Sequence, residues 1–144
     1  MRVLAIDLGE RRIGLAISDA TATLARPLKV IERDSSDEQA AARLGREIDA
    51  ANAEPGEDAI GRIVVGLPTR LDGSPHEQTM RVRKMAELLA SRTTVPIVLQ
   101  DERLSSHEAN ERLAAREKDW RKRKARLDAA AAAVILQDYL DHQQ

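Results

Sequence analysis

The residues best placed to do chemistry are acids that close apolar runs. Asp7 ends Val3-Leu4-Ala5-Ile6, and Asp101-Glu102 ends the run Val95 to Gln100. An unpaired ionised carboxylate costs several kcal/mol or more to bury, so something must compensate it. Asp128 is a third position of interest. It precedes Ala132, Ile135 and Tyr139 at helical spacing, on the face of a last helix whose alanines allow close approach to a sheet. Taken alone, such an Asp serves to complement a helix N-terminal dipole. Taken together, three converging carboxyl groups repel and raise one another's pKa unless a cation stands among them. Hard divalent ions suit oxygen ligands, and Mg²⁺ or Mn²⁺ keeps waters and room for a phosphate. That layout fits metal-assisted phosphodiester hydrolysis. Gly9, two residues after Asp7, would let a phosphate come close to the backbone.

The elements that must position these acids follow from the pattern. RVLAID (2–7) and RIGLAIS (12–18) predict a strand hairpin. RPLKVIE (26–32) predicts a third strand, with Pro27 directing it to a sheet edge. Ser35-Ser36-Asp37-Glu38 opens a helix, with Ala41, Leu44, Ile48 and Ala51 at helical spacing. RIVVGLP (62–68) is a fourth strand. Residues 76–91 form a helix with Met80, Met85, Leu88 and Leu89 on or near one face, and VPIVLQ (95–100) is a fifth strand. Ser105-x-x-Glu108 has the capping-box pattern for a helix to about Ala115, and a final helix runs from about Lys124 to Leu140. The order β-β-β-α-β-α-β-α-α predicts an α/β fold, a mixed five-stranded sheet with helices on both faces. Strands one, four and five are expected to be parallel. Their carboxyl ends would then share the edge where open α/β sheets bind ligands.

Length and composition set limits. The 144 residues are the size of one domain, 42% hydrophobic and 33% charged, a globular balance. With no Cys, neither a disulfide nor a thiolate metal site exists in this sequence. No signal-peptide core or membrane-length apolar run is present, so a cytoplasmic location without membrane contact is expected. Net charge is −1, yet it is unevenly spread. Residues 33–58 hold eight acids and three bases, while 116–126 hold seven bases and two acids. The second segment is either a solvated charged loop or a surface for a polyanion. One Trp, one Tyr and no Phe exclude extensive base stacking. Nucleic acid would be held by backbone and shape.

Several blocks in order resemble one family. They are Asp7-Leu8-Gly9 with Arg12-Ile13-Gly14-Leu15-Ala16-Ile17-Ser18-Asp19, Gly66-Leu67-Pro68 with Asp72-Gly73, Asp101-Glu102-Arg103-Leu104-Ser105, and Asp128-Ala129-Ala130-Ala131 with Ile135-Leu136-Gln137. Over essentially the whole chain they resemble the YqgF (RuvX) family. The resemblance implies a single ribonuclease H-like domain over 1–144, related to the RuvC Holliday-junction resolvases. It implies a hydrolase that processes the 5′ end of pre-16S rRNA with Mg²⁺ or Mn²⁺. Asp7, Glu102 and Asp128 match the family's acidic triad and metal ligands, with Asp101 the alternative to Glu102. Arg103 would contact phosphate. Arg11 stands where the family often has Lys, and Ser105 where Thr is common. Structured rRNA precursor, pre-ribosomal particles or branched DNA are the implied partners, for a monomer or a homodimer.

Further contacts are expected of Gly9, Arg11 and Arg12 in the hairpin, Arg70 after strand four, and Lys124 in the basic stretch; Thr69 is a weaker candidate. His76 and His107 are surface or helix-start residues, and His142 is expected to be disordered near the end of the chain. Trp120 anchors the basic loop or stacks on a base. Asp19 is a turn residue, remote from Asp7. Three other functions compete: a branched-DNA resolvase, a non-catalytic ribosome-assembly factor, and a phosphate-binding ATPase. The last rests on Asp7-x-Gly9, Gly14 and Asp19, which look like the first phosphate loop of the actin and sugar-kinase fold. That fold needs a second loop and domain, for which 144 residues leave no room.

Overall fold

The segment RVLAIDL is apolar at four successive positions because its strand is covered on both faces. Val3, Leu4, Ala5 and Ile6 are at most 2% exposed. A computed structural model describes residues 1–33, 36–67, 77–101 and 120–143. Its elements are β1 (Arg2–Leu8), β2 (Arg12–Ser18), β3 (Ala25–Glu32), α1 (Asp37–Asn52), β4 (Ile60–Leu67), α2 (Glu77–Ala90), β5 (Ile97–Asp101) and α3 (Trp120–His142). The sheet order is β3-β2-β1-β4-β5. β1–β2 and β2–β3 pair antiparallel, and β1–β4 and β4–β5 pair parallel. The mixed five-stranded sheet is therefore as the sequence predicts. The expected helix at 105–115 lies outside the described residues.

Alternation along β1 splits its side chains between two cores. Leu4, Ile6 and Leu8 join Ile13, Leu15 and Ile17 of β2 against Ala41, Leu44 and Ile48 of α1 and Val82, Met85 and Leu89 of α2. Val3, Ala5, Ala16 and Val64 pack on the other face against Ala132, Ile135, Leu136, Tyr139 and Leu140 of α3. Each fully buried Leu or Ile contributes about 1.5–3 kcal/mol, so both layers matter to stability. Ala5, Ala16 and Ala132 are completely buried and small, so α3 lies close on the sheet.

Pro27 sits on edge strand β3, where the register with β2 shifts between Leu15 and Ala16. Ser36 caps α1, its Oγ accepting from the Gln39 N–H, and Asp37 and Glu38 occupy the first turn. Arg2 is 2% exposed; its guanidinium donates to the carbonyls of Asp58 (2.7 Å) and Ala51 (2.8 Å), joining the start of β1 to the end of α1.

Three expectations are corrected. Met80 is 66% exposed rather than core. It lies five residues before Met85, about 140° round the helix, and Val82 takes the inward place instead. The last helix starts at Trp120, not near Lys124, so 120–126 are helical rather than a loop. His142 is the last helical residue, its Nδ1 lying 2.6 Å from the Asp138 carbonyl, rather than disordered.

Candidate active site at the carboxyl edge of the sheet

Asp7 is the penultimate residue of β1, half-buried, and registers opposite Gly14 of β2, which presents no side chain beside it. It follows Ala5 by two residues, so it faces the α3 side of the sheet. Asp101 ends β5 and is exposed. It follows Leu99, which packs with the α1–α2 core, by two residues, so it faces the opposite side. Gln100 between them confirms the alternation, its Nε2 donating to Asp138 Oδ2 of α3 at 3.0 Å. Asp7 and Asp101 thus share the carboxyl edge but not a face.

Position 128 stands on α3 one turn before Ala132 and two before Ile135, both in the core against β1. It is eight residues inside the helix, beyond the first turn in which a dipole interaction acts. Near its end α3 is held by Gln137 and Tyr139 at the starts of β3 and β4, while Asp138 reaches Gln100 near the end of β5. Gln137 accepts from the Ala25 N–H (2.9 Å) and donates to the Thr23 carbonyl (3.0 Å), and Arg62 Nη1 donates to the Tyr139 hydroxyl at 2.6 Å. In the preceding turns Ala129, Ala131, Ala132, Val134, Ile135 and Leu136 are buried. The side chains of Lys124 and Asp128 lie outside the description, as do Glu102, Arg103, Arg70, Thr69, His76 and His107. Among the described residues no group of three His, Cys, Asp or Glu could hold a metal ion.

The hairpin after Asp7 is tightly built. The Gly9 N–H donates to the Arg12 carbonyl at 2.9 Å, and a Cβ on Gly9 would stand 2.5 Å from that oxygen. The close turn itself therefore needs glycine. Arg11 is exposed and Arg12 half-buried; neither side chain has a partner among the described residues.

In the sequence Arg33 reads only as one base of an acidic segment; the structure gives it a larger part. Its Nη1 donates to the Gly9 carbonyl (3.0 Å), its Nη2 to Asp37 Oδ1 (3.1 Å), and its backbone N–H to the Arg11 carbonyl (2.9 Å). It clips the hairpin to the first turn of α1. The one signal in the sequence is its place between a strand and a helix cap. Asp19, at the other end of β2, holds its own turn: Oδ2 accepts from Thr21 Oγ1, and Oδ1 from the Thr23 and Leu24 N–H groups. The Thr21 hydroxyl first, then the two amides, lower its pKa to about 2.

The chain matches the RuvX family, described as Holliday junction resolvase, over residues 1–142. A protein of Anaeromyxobacter sp. (strain Fw109-5) carrying the name "Putative pre-16S rRNA nuclease" is 44% identical over 143 residues, 98% of this chain and 97% of its own. The fold is similar to T. thermophilus RuvC in complex with Holliday junction substrate. The TM-score is 0.54 at 16% identity, covering 99% of this chain and 95% of that one. A ROK hexokinase from Thermus thermophilus shares the fold over 78% of this chain but only 38% of its own, with a TM-score of 0.52 and 22% identity.

Proposed function

The chain belongs to the RuvX family of Holliday junction resolvases, and on that premise we propose that it is a hydrolase of phosphodiester bonds that trims the 5′ end of pre-16S rRNA in the cytoplasm. The observation that carries the reading is Asp7. It is a half-buried carboxylate at the carboxyl edge of a central strand, facing the same side of the sheet as the helix that carries position 128.

Asp7, Glu102 and Asp128 are the residues that would hold Mg²⁺ or Mn²⁺. Glu102 is preferred to Asp101 because Asp101 faces away from Asp7. When bound, the ion polarises the phosphodiester and activates water. The chain's own part is to place the substrate. Arg11 and Arg12, without a partner among the described residues, meet backbone phosphates, and Arg103, Arg70 and Lys124 are proposed to extend that contact. Gly9 and Arg33 keep the hairpin rigid beside Asp7. The scarcity of aromatic side chains fits recognition by backbone and shape in an rRNA precursor or a pre-ribosomal particle.

The test is cleavage of a precursor carrying the 5′ leader, in Mg²⁺, Mn²⁺ and EDTA, with a four-way DNA junction in parallel. Asp7→Asn is expected to lose at least about 100-fold in rate while still binding RNA. Full cleavage by that variant would overturn the site. The family description and the RuvC-like fold support a second reading, junction resolution. Cutting of the junction alone would select it, and a stable monomer would count against it.

A further inference from the structure

On the far side of the hairpin from Asp7 lies a notch of about 390 Å³. Among the described residues it is lined by Glu10 of the hairpin, Arg33 after β3, Asp37 in the first turn of α1 and Arg81 of α2. The volume falls in the lower part of the range for small-ligand sites, about 300–1,000 Å³. Two of the four charges settle each other, since Arg33 donates to Asp37 Oδ1 at 3.1 Å and to the Gly9 carbonyl. They form a fixed wall. The other two are available. Arg81 is exposed and has no partner among the described residues. Glu10 takes the Gln78 amide on Oε1 at 3.1 Å, leaving its second oxygen for an incoming donor.

One guanidinium and one carboxylate oxygen in one notch select among polyanions. Arginine alone takes a phosphate from DNA or RNA alike. A carboxylate repels phosphate but accepts from a hydroxyl. The RNA backbone carries such a donor on every sugar, the 2′-OH, and the DNA backbone has none. Glu10 lies three residues past Asp7 in the same hairpin, but the notch opens on the α1–α2 side while Asp7 faces α3, so a strand that engages both bends over the carboxyl edge of the sheet.

We infer that this notch is a ribose-phosphate subsite, Arg81 holding a phosphate and Glu10 accepting from a 2′-hydroxyl, and that it favours RNA over DNA. The inference rests on the nuclease reading and supplies its substrate preference.

The experiment measures binding of RNA and DNA strands of identical sequence to the full chain by fluorescence anisotropy. An Asp7→Asn background keeps both strands uncut. Arg81→Ala is expected to weaken RNA and DNA alike and to lower the salt slope by about one phosphate contact. Glu10→Ala is expected to weaken RNA binding by about two- to tenfold and leave DNA unchanged or tighter. Glu10→Gln, which keeps an acceptor oxygen without the charge, is expected to retain most of the RNA preference. The inference falls if Glu10→Ala shifts RNA and DNA by the same factor, or if Arg81→Ala changes neither. Absence of nucleic-acid binding in the Asp7→Asn parent overturns instead the nuclease reading beneath it. Both side chains are exposed, so an unchanged thermal midpoint separates these effects from misfolding.

Discussion

The Gly9 peptide group is fixed from both ends: its N–H donates to the Arg12 carbonyl and its carbonyl accepts from Arg33. Gly9→Ala would drive a methyl into the Arg12 carbonyl, so it is expected to cost about 1–3 kcal/mol in urea denaturation. Asp19 offers a test by pH. Its pKa is about 2 in the fold, below the ordinary aspartate value of 3.8, so the unfolded chain protonates first as pH falls. The stability its carboxylate contributes is complete above about pH 4 and is lost as pH falls toward 2. The difference in denaturation midpoint between the parent and Asp19→Ala should hold from pH 7 to 5 and close by pH 2. A constant difference throughout would assign the effect to something other than the ionised carboxylate. At this scale Asp7 and the turn at Asp19 were legible, because strand ends and Asx turns are local patterns. Arg33 was not, because the carbonyl it holds is 24 residues back along the chain.

Among the elements, α3 decides whether position 128 stands near Asp7. Ala132 is fully buried against a sheet face whose own residues include Ala5 and Ala16. Ala132→Leu is expected to cost about 1–3 kcal/mol by overpacking. It is also expected to cut activity by more than the unfolded fraction explains, because it lifts the helix one turn below Asp128. Cleavage measured at full native signal separates the two effects. Strands with continuous apolar runs, such as β1 and β2, were found within a residue or two of their ends. The start of α3 was not, since RKRKAR carries no apolar stripe although Arg, Lys and Ala all favour helix. Met80 shows the reverse error, an apolar residue counted as core whose angle on α2 turns it to solvent.

In the molecule as a whole, the two cores depend on different stretches of sequence. One closes with α1 and α2, the other, among the described residues, with α3. The strand count and the mixed sheet were legible because each strand differs from its flanks in composition. The carboxyl groups that share a face were not, since Asp101 and Glu102 are equivalent to a pattern and only strand pairing tells which side Asp101 takes. A chain ending before Trp120 would leave Val3, Ala5, Ala16 and Val64 uncovered. It is expected to bind a hydrophobic dye and aggregate at concentrations where the full chain stays dispersed. The same dependence sets an order of assembly. β1, which carries Asp7, and α3, which carries position 128, lie far apart along the chain and meet only when the second core closes. Until α3 docks, its face of the sheet is bare and the proposed site lacks one of its three acids, so closing that layer and completing the site are one event.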